Sequence, residues 1–227
     1  MPGMYRRSLL ALAPGTALAQ ASAVDLALVL AVDASGSIDA DEFRLQREGY
    51  AEALTHPSVL AAIQGKAHGA IAVTMVEWGA PAGAATVVGW HRVADAASAQ
   101  ALAAAVLMAE RSPQTWNAIG DALAHCTALL LGAPFRVTER VIDLSGDGPD
   151  MRSRIGAAEA RDAAVAAGIQ INALAVATAG QVTRFGEPLA ETYRREVIGG
   201  PGAFVVSAED RRDIARALRA KLVREIA

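Results

Sequence analysis

Three oxygen-bearing side chains, Asp33, Ser35 and Ser37, alternate along a stretch that follows the unbroken apolar run Leu26 to Val32. One carboxylate and two neutral hydroxyls suit a hard cation such as Mg²⁺, which takes oxygen ligands and keeps several waters. Hydroxyls bring no net charge, so an ion held this way stays electrophilic and can accept an anionic oxygen from outside. A second acidic stretch, Ser145-Gly146-Asp147-Gly148-Pro149-Asp150, follows another apolar run and offers a further carboxylate. The competing reading is structural: Asp33 and the serines would fill a turn and cap a helix. Two matched loops at the ends of apolar runs favour the cation.

The elements around these loops decide whether they can meet. The run from Leu26 to Val32 reads as a strand buried on both faces, at the centre of a parallel sheet. Gly36 permits a tight turn, and Asp39 with Glu42 makes a capping box for a helix over about Asp41–Leu54, ended by His56-Pro57. Further strands are expected at 69–78, 85–93, 138–145, 169–177 and 203–206. Helices are expected at 95–110, from Asn117 on, at 154–167 with Gly168 as C-cap, and at 189–197. A final helix carries Ile214, Leu218, Leu222 and Ile226, with Ser207 and Asp210 as its cap. The short link between the second and third strands implies an antiparallel hairpin. The whole is an α/β fold: a doubly wound, mostly parallel six-stranded sheet in the order 3-2-1-4-5-6, with one antiparallel strand and helices on both faces. In that order strands 1 and 4 are neighbours, which sets Asp147 across a crevice from Asp33 at the carboxyl ends of the strands.

At Asp33-Ala-Ser35-Gly-Ser37 the chain resembles the von Willebrand factor A domain and its metal-ion-dependent adhesion site. That site uses D-x-S-x-S after the first strand, a Thr from a second loop and an Asp from a third. The resemblance implies Mg²⁺ or Mn²⁺, with Ca²⁺ as a further option, held by Asp33, Ser35, Ser37 and Asp147. It also implies a partner protein that presents an Asp or Glu to the ion. The second loop departs from the pattern Thr-x-Ile-Gly-x-Ala-Leu. Here it reads Asn117-Ala118-Ile119-Gly120-Asp121-Ala122-Leu123, with Thr115 two residues earlier. Asn117 can offer a neutral amide oxygen to the ion or simply cap the helix, and Thr115 is the alternative ligand. From Arg140 onward, runs such as Arg140-Val-Ile-Asp-Leu-Ser-Gly-Asp-Gly-Pro149 and Val197-Ile-Gly-Gly-Pro-Gly-Ala-Phe-Val205 are similar to a bacterial family. That family has a leader and one A-type domain, and its function is unassigned.

Length and composition narrow the function. The chain has 227 residues, a net charge of −3 and 53% apolar residues, which fits one packed domain and no basic surface for nucleic acid. The single cysteine, Cys126, excludes an internal disulfide and is expected to be buried. Residues 1–23 read as a secretory leader, with Arg6-Arg7, a short apolar stretch and small residues around Ala19 to Ala23. Residues 24–227 then form the domain, exported to the periplasm or secreted, with no membrane span in the mature chain. A protein-binding module without enzymatic activity is the leading function. One rival is a haloacid-dehalogenase-like, Mg²⁺-dependent phosphatase, which the acidic loops also resemble. Its chemistry needs an Asp two residues after the nucleophile, where Ser35 stands, and Lys66 is the only lysine between the loops. Another rival is an A-type scaffold that binds partners without metal. A serine hydrolase is disfavoured because no G-x-S-x-G occurs.

Overall fold

A strand with no polar face must lie inside a sheet covered on both sides. In the computed structural model, which describes residues 21–177, 180–184, 186–208 and 214–227, the Leu26–Val32 run does so. The strands are β1 (Ala23–Asp33), β2 (Ile71–Trp78), β3 (Ala85–Val93), β4 (Arg136–Gly146), β5 (Gln170–Val176) and β6 (Val205–Ala208). The helices are α1 (Ala40–Thr55), α2 (Pro57–Gln64), α3 (Ala96–Met108), α4 (Ile119–Leu131), α5 (Ala157–Ala166), α6 (Leu189–Glu196) and α7 (Ile214–Ile226). The sheet order is β3-β2-β1-β4-β5-β6, with β3 antiparallel to β2 and the other pairs parallel. This is the order expected from the sequence, hairpin included. Residues 1–20 of the predicted leader and the predicted cap Asp210 lie outside the described residues.

Alternation along β1 builds two cores. Leu26, Leu28, Leu30 and Val32 face one side, where they meet residues of α1, α2, α3 and α7. Ala27, Val29 and Ala31 face the other, against α4, α5 and α6. The small residues on the second face let those helices approach closely. Cys126 is fully buried in that second core, and burial raises its thiol pKa.

Several boundaries differ from expectation for physical reasons. His56-Pro57 ends α1 but also starts α2. His56 caps both, its Nδ1 accepting from Ser58 N–H at 3.2 Å, and Pro57 sits where a helix tolerates it best. Helix α4 begins at Ile119 with Ala118 as N-cap and no side-chain cap, so Asn117 does not cap it. Gly120 N–H is instead served by Asp150 and Ser153 from another loop. Ala167 is the C-cap of α5, and Gly168 follows it at φ 77°. Strand β6 lies two residues later than expected, at Val205–Ala208.

A polar cluster sits inside the first core. Lys221 of α7 is fully buried and pairs with Asp143 of β4 and with Glu225, the latter at 2.5 Å. Asn172 of β5 donates to Glu225 at 3.1 Å. Two carboxyls and one ammonium leave an excess negative charge in a place with little water. Burial and then Asp143 push the Glu225 carboxyl up to about 8. A proton on Glu225 relieves that excess beside Lys221. A raised acid pKa means that the folded state binds more protons than the unfolded one, so stability falls as pH rises. We expect urea midpoints to decline between pH 4.5 and about 8, and Glu225→Gln to flatten that decline. An equally steep decline in Glu225→Gln would contradict the assignment. Lys221→Met, which strands both carboxyls, should cost about 3–5 kcal/mol.

Candidate metal centre

Asp33 is the last residue of β1 and is fully buried. The chain turns there under tight local control. Ala34 N–H donates to Trp78 O at 3.0 Å, holding the loop to the end of β2. Ser35 N–H donates to Asp33 Oδ1 at 2.8 Å, the local bond by which an Asp shapes a turn. Then Asp39 and Glu42 close the capping box of α1, with bonds of 2.9 and 3.0 Å. Between these fixed points Ser35 and Ser37 bring their hydroxyl oxygens to 3.0 Å of each other.

The neighbouring strand delivers the second carboxylate. Val32 of β1 pairs with Ser145 of β4, so the chain leaving β4 runs beside Asp33. Asp147 N–H donates to Asp33 Oδ2 at 3.2 Å, and Ser37 Oγ donates to Asp147 Oδ2 at 2.8 Å. Asp33, Ser35, Ser37 and Asp147 therefore form one hydrogen-bonded group. The buried Tyr193 of α6 donates to Gly148 O at 2.9 Å and pins this loop from the other side.

The second loop closes the site. Asn117 O accepts from Met151 N–H at 2.7 Å, tying the loop before α4 to the loop after β4. A Cβ on Gly148 would lie 2.6 Å from Asn117 Nδ2, so glycine is required for the amide to sit there. Asn117 Oδ1 is buried and accepts no hydrogen bond among the described residues. Thr115 is exposed, and its carbonyl abuts Gly36. Of the two candidates in this loop, Asn117 is the one with a buried side-chain oxygen that has no hydrogen-bond partner among the described residues.

Two groups that hold the site were not singled out in the sequence. Arg111 Nη2 donates to the carbonyls of Ala34, Ser35 and Ile38 at 3.1, 3.2 and 2.8 Å, clamping the first loop by its backbone. Its guanidinium stacks on Phe43 at 4.8 Å, and Arg47 stacks on the same ring at 5.0 Å. Glu77 of β2, fully buried, accepts from Ser112 N–H at 2.6 Å and from Arg47 at 2.5 Å, which fixes the residue next to Arg111. An acidic residue inside the apolar run of β2 was the available signal for Glu77. Arg111 carried none, because its contacts are made across the fold.

Electrostatics single out the same point. Burial, and then the Asp147 carboxylate, push the Asp33 carboxyl up to about 7. Neither acid has an ion-pair partner among the described residues, and two acids held together so invite a cation. The donors are all hard oxygens: two carboxylates, two hydroxyls and the unpartnered amide oxygen of Asn117. That set fits Mg²⁺, Mn²⁺ or Ca²⁺ rather than a thiolate- or imidazole-seeking ion. Among the described residues no three His, Cys, Asp or Glu side chains gather to hold a metal, so a cation here depends on the neutral donors.

The fold is of the von Willebrand factor A type. The family described as a protein of unknown function, DUF1194, matches residues 23–227, and the chain belongs to it. A search of curated proteins finds no match. Among solved structures, the pilus adhesin SpaC from Lactobacillus rhamnosus GG superposes with a TM-score of 0.64 at 16% identity, over 91% of this chain and 31% of that one. A von Willebrand factor type A protein from Catenulispora acidiphila gives 0.58 at 20%, over 90% and 43%. Proximal thread matrix protein 1 from the mussel byssus, described with a zinc-occupied MIDAS motif, gives 0.58 at 16%, over 88% and 46%. The chain thus spans less than half the length of each of these proteins.

The clamp by Arg111 makes a direct prediction. Removing a charged donor from three carbonyls should loosen the first loop without opening the sheet. In Arg111→Ala, amide exchange at residues 35–38 should speed up about tenfold, while β1 stays protected. Arg111→Lys should recover part of the protection. Unchanged exchange in Arg111→Ala would show that the clamp does not hold the loop.

Proposed function

We propose that this domain is a metal-assisted protein-binding module, in which a divalent cation sits among Asp33, Ser35, Ser37, Asn117 and Asp147. The observation that carries this reading is the joining of Asp33, Ser35, Ser37 and Asp147 from two loops into one hydrogen-bonded group of oxygens, with the loop of Asn117 tied to the second of them through its backbone. Only two of the proposed donors carry charge and the others are neutral, so the ion is not over-neutralised and can still take an outside carboxylate into its coordination shell. A partner would present an Asp or Glu. The adhesin and the zinc-bearing thread matrix protein sharing the fold support this reading. Mg²⁺ or Mn²⁺ are the expected ions, with Ca²⁺ as a further option.

We read the module as non-catalytic. Ser35 occupies the position where a phosphatase of the rival type needs a general acid. Lys66, the lysine that reading requires, lies at the opposite end of the sheet, beside Glu139 and the carbonyl of Ala227. The Arg6-Arg7 leader supports export to the periplasm or beyond. Among the described residues no helix is long and apolar enough to cross a membrane.

Thermal melts with and without cation test the central reading. At an ion concentration of one hundred times Kd, mass action should add about 2.7 kcal/mol of stability, and Asp33→Ala should abolish the gain. No gain in the natural sequence would remove the metal from the account. The departure at the second loop makes a sharper forecast. The Asn117 amide oxygen is one bond further from the backbone than a threonine hydroxyl, and Mg²⁺ tolerates misplaced ligands poorly. Calorimetric titration should find Asn117→Thr tighter for Mg²⁺ and Asn117→Ala weaker for every cation. Loss of affinity in Thr115→Ala but not in Asn117→Ala would transfer the role to Thr115. The protein should also leave small phosphate esters unhydrolysed. A metal-dependent rate lost in Asp33→Asn would establish the phosphatase instead.

A further inference from the structure

The bond from Met151 N–H to Asn117 O joins the two loops on one side of the site. One residue outside that bond on each loop stand Trp116 and Arg152, and they are stacked. The Arg152 guanidinium lies 4.9 Å from the centre of the Trp116 ring. Both are exposed, Trp116 to 44%. Arg152 is held at φ 69°, a region that non-glycine residues seldom enter. The arginines Arg44, Arg47, Arg161, Arg194 and Arg195 all pair with carboxylates. Arg152, like Arg140 and Arg224, has no carboxylate partner among the described residues; it differs from them in standing next to the loops of the site.

A stacked guanidinium differs from a free one. Its plane is fixed by the ring, so less rotamer freedom is lost when it binds, and its edge still carries the donor fork that matches a carboxylate. Trp and Arg are also the residues that most often anchor protein interfaces. This pair is set beside the cation's own loops, one residue from the amide proposed as a ligand. The surface is thus prepared for a second negative group close to the first.

We propose that Trp116 and Arg152 form a second anchor, which takes a further carboxylate of an acidic partner segment whose first carboxylate is bound by the cation. The recognised chemistry is then an acidic peptide with at least two acids, not an isolated Asp or Glu. This rests on the cation reading and adds to it. It gives the second acid a role in affinity, and it makes the stacked indole a neighbour of the bound segment.

Two capped pentapeptides test it in saturating Mg²⁺: Asp-Gly-Asp-Gly-Asp and Asp-Gly-Ser-Gly-Ser, titrated by amide NMR shifts. The triacidic peptide should bind about fivefold more tightly, the gain of one well-placed charged pair. In Arg152→Gln that difference should vanish, and in Trp116→Ala it should shrink. Arg152→Lys, which keeps the charge but loses the planar fork, should retain only part of it. The Mg²⁺ affinity of each variant, measured alongside, reports whether the ion site is intact. Equal affinity of the natural sequence for both peptides would overturn the anchor and leave the cation reading standing. Preference for the triacidic peptide that survives in Arg152→Gln would also overturn it, placing the second acid elsewhere. If Mg²⁺ binds but neither peptide does, the carboxylate-presenting partner fails and the anchor fails with it.

Discussion

The structure depends on one awkward placement: a carboxylate at the buried end of the central strand. Asp33 lies where burial alone would favour the neutral acid, and Asp147 faces it from the loop that follows the neighbouring strand. An isolated charge in such a place is costly, and two acids together are more so. Local hydrogen bonds from Ser35 N–H and Asp147 N–H offset part of that cost. What remains is a negatively charged pocket of oxygens that a divalent cation would balance. The rest of the molecule can be understood as the frame that keeps this arrangement from relaxing.

That frame is built of contacts from every side. Arg111 grips the backbone of the first loop, Tyr193 grips the loop after β4, and Asn117 O joins that loop to the one before α4. Close packing does the same at shorter range: a Cβ on Gly79 would lie 2.7 Å from Trp116 O and 3.1 Å from Ser35 Cα. The grips come from α6 and from the loops that follow β2 and precede α4, which are anchored to elements of the two cores. Site geometry and global packing are therefore coupled, and the loops have few other positions open to them.

Much of this was legible in the sequence, for identifiable reasons. A doubly buried strand must be a continuous apolar run, so β1 announced itself, and the order of a doubly wound sheet then brought Asp147 to Asp33. Hydroxyls at alternate positions after that strand marked the loop that the structure joins to Asp147. Other features have no such local signature. Asn117 has the side chain of a helix cap, yet α4 starts two residues later and its first turn is served by Asp150 and Ser153. Helix α2 spans only Pro57–Gln64, too few residues for a period to show, and its cap, His56, already ends another helix. Arg111 acts on a loop 77 positions away from it in the chain, and only the fold reveals that contact.

The most direct test is a crystal structure of the domain grown with Mn²⁺, with data collected for the ion's anomalous scattering. The account predicts one strong anomalous peak bounded by Asp33, Ser35, Ser37 and the loop of Asp147, with the Asn117 amide turned toward it. Manganese bound elsewhere, or no peak between those loops while Asp33 and Asp147 keep their direct hydrogen bond, would contradict it.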